Sequence, residues 1–171
     1  LSGIDYWKTC FNGMQAAGDF LGVTTKYTGQ TDSDVAGEVA VLEQVIAMKP
    51  KGIAITCVNS TAFQDTIDSA IEQGISVVTF DSDSPTSQRS SYLSTGNEDA
   101  GKAAAEYLVP LCGNKGKIAV LYTVGQENTE SRLEGFRSWC EENAPGVELI
   151  LVNDAGDTTT ATDNLAAALQ A

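Results

Sequence analysis

The sequence GISVVTFD at residues 74–81 is the clearest indication of how this 171-residue chain folds. Its apolar, largely β-branched part, residues 75–80, follows a glycine and is typical of a buried parallel strand. In an open α/β sheet, ligands bind in the crevice beyond the carboxyl ends of the strands. Asp81 directly follows this strand. We therefore expect its carboxylate to lie where a small polar molecule is held.

Strands and helices alternate along the chain on both sides of this stretch. Apolar runs predict strands at residues 23–28, 52–57, 75–80, 92–95, 117–123 and 147–152. Apolar residues at helical spacing predict helices at residues 6–21, between a capping segment at 31–34 and Pro50, between Ser60 and Gly74, and at 99–111, 129–143 and 158–170. The polar segment 82–91 has no periodicity and is predicted as a loop. This alternation favours parallel sheets joined by right-handed crossovers.

The predicted order of elements suggests a segment of a longer protein. The chain opens on a helix, whereas folds of this kind normally begin on a strand. We therefore expect an opening strand of roughly 5–6 residues before Leu1. The second half of the chain has only two clearly predicted strands, and a sheet of two strands is marginal by itself. We expect this second sheet to be incomplete as well.

Composition excludes several classes of function. The chain is 42% hydrophobic and 19% charged, which is ordinary for a globular protein. Its formal net charge of −13 repels phosphate backbones and argues against a nucleic-acid partner. It has no histidine, the commonest general base and metal ligand. We predict no metal and no other cofactor.

The four cysteines form no CxxC pair, so neither a zinc site nor a thioredoxin-type motif is indicated. Cys10, Cys57 and Cys140 fall on apolar helix stripes or in a strand, where buried thiols are expected. The sequence leaves open a disulfide between Cys112 and Cys140 if the protein is secreted. No run of apolar residues is long enough for a transmembrane helix.

Short motifs, in order along nearly the whole chain, resemble the type 1 periplasmic sugar-binding proteins of the ribose-binding-protein group. They are IDYW at residues 4–7 with GMQAAGDFLG at 13–22, KPKGI at 49–53, GISVVTFD at 74–81, GNEDAG at 96–101 and RLEGF at 132–136. Each motif is weakly specific alone. Their order and spacing together are typical of this family.

The resemblance implies a fold of two doubly wound, flavodoxin-like lobes, each built on a parallel sheet. The first lobe would span residues 1–97 without its opening strand, and residues 98–171 would form part of the second lobe. The elements that complete the sugar site in this family would lie beyond this sequence. The resemblance therefore implies weak or no sugar binding by residues 1–171 alone.

Four candidate ligand-binding residues follow from the resemblance. An aromatic pair at the first helix covers the apolar face of the sugar in this family, and Tyr6 and Trp7 match it by position. Asp81 matches the carboxylate that accepts hydrogen bonds from sugar hydroxyls. Arg132 matches an arginine of the second lobe, whose fork of donors suits neighbouring hydroxyls. Because Trp7 also heads an apolar stripe, its alternative role is as a core residue. For Arg132 the alternative is an ion pair with a neighbouring glutamate.

The sequence departs from the ribose-binding group directly after Asp81. That group has Asp-Arg, whereas this chain has Asp81-Ser82-Asp83. One guanidinium that faces the sugar is lost, which puts ribose itself in doubt. Asp83 is a fifth candidate ligand-binding residue, with capping of the loop as its alternative role. Gln126 and Asn128 line the cleft by position but are not among the principal candidates.

The resemblance implies a binding protein and not an enzyme. It would capture a monosaccharide or related polar ligand between its lobes and present the closed form to the membrane permease of an ABC transporter or to a sensor kinase. The expected location is extracytoplasmic, either periplasmic or lipid-anchored at the cell surface.

Other functions remain open at the level of sequence. The TGQT segment at residues 28–31 imitates a flavodoxin phosphate loop, which suggests an FMN electron carrier. The adjacent carboxylates of Asp81 and Asp83 imitate a glycosidase or phosphoacceptor site, although neighbours in one loop rarely oppose each other as such chemistry needs. The effector core of a sugar-responsive repressor shares the same architecture, but this chain contains no helix-turn-helix.

Overall fold

The computed structural model describes residues 5–31 and 34–170, which fall into two compact units, residues 1–50 and 51–171. Ile4 of the IDYW motif and residues 32–33 of the predicted capping segment lie outside the described residues. The predicted boundary between ligand-binding lobes, at residues 97 and 98, stays a prediction.

The first unit contains two helices, α1 (Asp5–Leu21) and α2 (Val35–Ala47). The carboxylate of Asp34 caps α2, because it accepts hydrogen bonds from the amides of Ala36 and Gly37 at 3.2 and 3.1 Å. The ring of Phe11, on α1, stacks on that of Tyr27 with centroids 5.2 Å apart.

The predicted strand at residues 23–28 is wrong, because this segment is irregular in the structure. Its apolar and β-branched residues suit a strand, but a strand forms only where a neighbour completes its hydrogen-bond ladder. No such neighbour is present among the described residues, since both sheets are built from later segments.

The second unit holds two parallel sheets, and it confirms the predicted α/β class with parallel strands. The first sheet has the order β1-β2-β3, with strands β1 (Gly52–Ile55), β2 (Ser76–Phe80) and β3 (Ser91–Leu93). The second pairs β4 (Gly116–Tyr122) with β5 (Val147–Asn153).

Four helices complete the alternation in the second unit. They are α3 (Gln64–Glu72), α4 (Asn97–Leu111), α5 (Glu127–Asn143) and α6 (Thr158–Ala168). Helix α3 begins later than predicted, since residues 60–63 form a turn before it. Asn59 caps that turn, because its side-chain oxygen accepts from the amides of Thr61 and Ala62. The other three helices lie within one or two residues of their predicted bounds.

Each sheet of the second unit packs against its own cluster of buried apolar side chains. Phe63, Ile67 and Val77 are fully buried around β2 and α3. A second cluster packs α4 and α5 against β4, and its buried members are Ala105, Val109, Ile118, Phe136, Cys140 and Ala144.

Helices α4 and α5 approach each other through glycine. Gly101 faces the backbone of Arg132, and Gly135 faces the carbonyl of Glu98, so that a Cβ atom at either glycine would overlap these backbone atoms. Because neither glycine carries a side chain, the helix backbones pack in direct contact. This contact sets the position of Arg132 relative to α4.

Candidate functional site

Asp81 occupies a strained turn at the carboxyl end of β2. Its φ is 62°, in the left-handed region that only a few non-glycine residues adopt. The amide of Ser82 donates to the carbonyl of Phe80 at 2.8 Å, which closes a three-residue turn around Asp81. Backbone strain of this kind persists where the surroundings hold it and is concentrated at functional sites.

The Asp81 carboxylate meets side chains from two other strand ends. Its Oδ2 accepts a hydrogen bond from Nδ2 of Asn128 at 3.2 Å and a longer one from Oγ1 of Thr56 at 3.5 Å. Thr56 directly follows β1, and Asn128 lies in the first turn of α5, after β4. The loops after β1 and β4 also meet directly, since the amide of Ser60 donates to the carbonyl of Gly125 at 2.9 Å.

Asn128 has a buried acceptor without a partner. Only 4% of the residue is exposed, and its Oδ1 makes no hydrogen bond within the described part of the chain. An unsatisfied buried polar group costs about 1–3 kcal/mol, so such groups usually have a reason. The sequence placed Asn128 beside the cleft but gave no sign of this contact with Asp81, 47 residues earlier.

Arg132 lies four residues after Asn128, on the same face of α5. Its Nε donates to Oδ1 of Asn97 at 2.8 Å, which ties α5 to the first residue of α4. The guanidinium does not pair with the neighbouring glutamates, because Glu130 accepts from the amide of Gly125 and Glu134 pairs with Arg137.

The exposed side chain of Arg132 borders a shallow, mostly apolar depression of about 190 Å³. The other lining residues come from α4, β4 and α5: Ala100, Gly101, Ala104, Val120, Leu121, Thr129, Leu133 and Phe136.

Asp83 is buried within its own loop, with 3% of the residue exposed. Nε and Nη2 of Arg89 donate to its two carboxylate oxygens, each at 2.6 Å, and Oγ1 of Thr79 and the amide of Ser84 add further hydrogen bonds. Burial alone would raise the pKa of Asp83, but these hydrogen bonds and the Arg89 charge outweigh it and hold the pKa below its ordinary value. The pair braces the loop between β2 and β3.

The Asp83→Asn variant of the full-length protein is expected to lose about 2 kcal/mol of unfolding free energy at neutral pH, because Arg89 keeps a largely buried charge without its partner. The folded-state pKa of Asp83 is depressed, so this stabilisation is present above its ordinary pKa of 3.8 and is lost as the pH falls through the lower folded value. Urea unfolding at neutral pH and at pH about 3 should therefore give a gap between wild type and variant that shrinks in acid.

The matched control for Asp83→Asn is Glu134→Gln, which breaks an exposed ion pair with Arg137. Such surface pairs are worth about 0–1 kcal/mol, and we expect a change near the lower end. Equal losses in both variants would contradict a bracing role for the buried pair.

Tyr92, in β3, contacts both Asp81 and Glu127. Its hydroxyl lies 2.8 Å from the carbonyl oxygen of Asp81 and 2.9 Å from Oε2 of Glu127, so its single proton is shared between two acceptors. Burial is the main reason that the pKa of Tyr92 rises to about 12, and the Glu127 carboxylate adds to this effect. The phenol is therefore a hydrogen-bond donor throughout the physiological range.

Tyr6 and Trp7 lie in the first turn of α1, in the unit of residues 1–50. Their rings pack edge to face, with centroids 4.7 Å apart and planes at 84°. Tyr6 is 54% exposed, whereas Trp7 is half-buried. A stacking surface is thus present on α1, and its contact with a sugar stays a prediction.

Within residues 5–31 and 34–170, no group of histidine, cysteine and carboxylate side chains is able to hold a metal ion. No disulfide is formed by the four cysteines in the described part of the chain; Cys57 and Cys140 are buried and Cys112 is exposed. None of the described helices is both long and apolar enough to cross a membrane.

The parallel strands carry a strained aspartate, Asp81, and beside it a buried amide, Asn128, beyond their carboxyl ends, where open α/β sheets bind ligands. The sequence matches the periplasmic binding protein domain family over residues 1–171. The chain therefore belongs to the periplasmic binding protein family, and the resemblance found in the sequence is confirmed.

Solved structures agree with this assignment. The arabinose binding protein AraP of Geobacillus stearothermophilus is 40% identical, with a TM-score of 0.78 over 99% of this chain and 59% of AraP. An ABC transporter solute binding protein of Agrobacterium vitis, bound to α-D-tagatopyranose, is 26% identical, with a TM-score of 0.91 over 99% of this chain and 61% of that chain. The glucose-galactose binding protein GanP of Geobacillus stearothermophilus is 25% identical, with a TM-score of 0.90 over 98% of this chain and 60% of GanP.

This chain spans about three fifths of the length of these relatives. The family match covers the whole chain, including the TGQT segment that imitates a flavodoxin loop, and the strand which that loop would follow is not formed. The flavodoxin alternative is therefore left without support.

Proposed function

We propose that the full-length protein captures a monosaccharide at the junction of β2 and α5, with Asp81, Asn128 and Arg132 as the polar contacts. The observation that carries this proposal is the strained Asp81, whose carboxylate is held against a buried amide with an unused acceptor. Sugar hydroxyls both donate and accept hydrogen bonds, and this pair of side chains offers both functions.

Asp81 and Asn128 suit a hydroxyl group that donates. A carboxylate accepts hydroxyl protons in charge-assisted hydrogen bonds that are about twice as strong as neutral ones. Oδ1 of Asn128 gains its missing donor from the sugar, while its Nδ2 keeps or exchanges its present contact with Asp81. Binding would then remove an unsatisfied acceptor as well as form new hydrogen bonds.

Arg132 suits hydroxyl oxygens that accept. Only its Nε is engaged, by Asn97, and its terminal nitrogens have no hydrogen-bond partner among the described residues. The bond to Asn97 orients the planar guanidinium, which leaves two terminal nitrogens, each with two N–H donors, in a fixed geometry for neighbouring hydroxyls.

For Tyr6 and Trp7 we propose separately, from the resemblance, a role as rings that cover an apolar sugar face. The large exposed fraction of Tyr6 supports this role, because burying an exposed ring against sugar C–H groups is favourable. The predicted sugar contact of Asp83 has less support, since its four hydrogen bonds within the loop favour a bracing role.

The biological role follows by comparison. AraP is described as an arabinose binding protein, and the Agrobacterium vitis protein as an ABC transporter solute binding protein. We propose the same class of role here: an extracytoplasmic, non-enzymatic binding protein that delivers its sugar to an ABC permease or a sensor kinase.

The test is a thermal melt of the full-length protein against arabinose, glucose, galactose and tagatose, with FMN as a control. A ligand that binds only the native state stabilises it by about 2.7 kcal/mol at a hundredfold excess over Kd. We expect one of these sugars to raise the melting temperature and FMN to leave it unchanged. A shift with FMN, or none with any sugar, would contradict the proposal.

A further inference from the structure

Residues outside β2 stabilise the turn at Asp81, which directly follows that strand. Its carbonyl oxygen accepts from the hydroxyl of Tyr92 at 2.8 Å and from Oγ of Ser94 at 3.0 Å. Its amide donates to the carbonyl of Leu93 at 3.0 Å. Because a left-handed aspartate is unfavourable by itself, these contacts with β3 and the residue after it stabilise the turn.

The same Tyr92 hydroxyl reaches the first residue of α5. It lies 2.9 Å from Oε2 of Glu127, whose other oxygen accepts from Oγ of Ser131 at 2.7 Å. Glu127 thus has both oxygens engaged, at a helix N-terminus where a negative charge is favourable. Its neighbour in the chain is Asn128, which contacts the Asp81 carboxylate.

Tyr92 therefore stands at a branch point. One branch fixes the backbone of Asp81, and the other fixes the first turn of α5, which carries Asn128. The branches thus reach the two residues whose side chains face each other at 3.2 Å in the candidate site, Asp81 through its backbone and Asn128 through its chain neighbour Glu127.

We propose that Tyr92 and Glu127 are positioning residues for sugar binding, which hold Asp81 and Asn128 in register without touching the sugar. This inference rests on the proposed function. It predicts that the affinity for sugar depends on one phenolic hydroxyl whose removal leaves the fold intact.

The first test is Tyr92→Phe in the full-length protein, titrated calorimetrically with the same arabinose, glucose, galactose and tagatose. Phenylalanine fills the same space and removes only the hydroxyl. We expect the affinity for the sugar that binds wild type to fall about 10-fold, as for the loss of a good hydrogen bond, with little change in melting temperature. Tyr107→Phe is the matched control, because Tyr107 is 76% exposed and lies on α4; its affinity should stay at the wild-type value.

The second test separates positioning from general support of the fold. If Tyr92 acts through Asp81, Tyr92→Phe should weaken sugar binding much less in an Asp81→Asn background than in wild type. Glu127→Gln keeps an acceptor for the phenol and should bind nearly as wild type, whereas Glu127→Ala should resemble Tyr92→Phe. Hydrogen exchange of the Ser82 amide, which closes the turn, should speed up in Tyr92→Phe even without sugar.

The outcomes separate the two proposals. If wild type binds none of the four sugars, the proposed function fails and this inference with it. If wild type binds and Tyr92→Phe binds equally well, or exchange at Ser82 is unchanged, only the positioning role fails. An equal loss of affinity in the wild-type and Asp81→Asn backgrounds would also overturn it.

Discussion

Replacing Asp81 by asparagine is expected to weaken sugar binding by the full-length protein about 10- to 100-fold, because hydrogen bonds to a charged acceptor are worth about 1.5–3 kcal/mol. Asparagine has nearly the same shape and also tolerates the left-handed backbone at this position, where φ is 62°. The change therefore removes the charge and leaves the turn in place. Calorimetric titration, with a thermal melt of the unliganded protein, measures the two effects separately.

Asp163→Asn is the matched control for this variant. Asp163 is exposed on α6 and has no assigned part in the site. It loses the same charge, so it corrects for any long-range electrostatic effect in this acidic protein. Equal affinities for Asp81→Asn and wild type would remove Asp81 from the proposed site.

Replacing Gly135 by alanine is expected to destabilise the protein by about 3 kcal/mol or more, which is large for the addition of one methyl group. A Cβ atom there would overlap the backbone carbonyl of Glu98, and backbone cannot move aside as a flexible side chain does. The helices α4 and α5 would have to separate, and the cluster that they share with β4 would loosen. Denaturant unfolding of the full-length protein measures the loss.

Gly13→Ala is the control for the glycine variant. Gly13 also lies within a helix, α1, but apart from its chain neighbours and the backbone of its own helix, no described atom lies within 4 Å of the position that its Cβ would take. Alanine should be neutral there or stabilise by about 0.5–1 kcal/mol, since glycine is a poor helix former. A Gly135→Ala variant as stable as wild type would contradict the close approach of α4 and α5.

Gly135→Ala should also affect the site, because the same helix carries Asn128 and Arg132. The side chain of Arg132 is held by Asn97 at the start of α4. Separation of the helices would stretch this hydrogen bond. Part of any loss in sugar affinity would thus come from displaced donors.

The local pattern of the sequence was sufficient for most of the fold. Apolar runs and helical stripes predicted β1, β2, β4 and β5 and the helices, because the spacing of apolar residues distinguishes a strand from a helix. The same reasoning failed at residues 23–28, where a suitable pattern has no pairing partner among the described residues. A hydrophobic pattern shows which side chains a segment is able to bury, whereas a strand also needs a neighbouring strand with which to pair.

The site was predictable in part, for a related reason. The position of Asp81 at a strand end follows from the β2 pattern alone. Its contact with Asn128 joins residues 47 positions apart. Such a contact depends on the relative placement of β2 and α5, which no local spacing encodes.

The partners of Asp83 and Tyr92 illustrate the same limit. Arg89 lies in a polar segment without periodicity, so nothing in its spacing marks it as the partner of a buried carboxylate. Glu127 reads as an ordinary acidic residue in the first turn of a helix. The roles of these two residues become clear only in the structure, where Arg89 contacts Asp83 and Glu127 contacts Tyr92.

A crystal structure of the full-length protein with the sugar that gives the largest thermal shift would locate the ligand relative to Asp81, Asn128 and Arg132. We predict sugar hydroxyls within about 3 Å of the Asp81 carboxylate and of Oδ1 of Asn128, with Arg132 donating to a neighbouring hydroxyl. A sugar bound elsewhere, with the Asp81 carboxylate still held by Asn128 and Thr56, would contradict the proposed site.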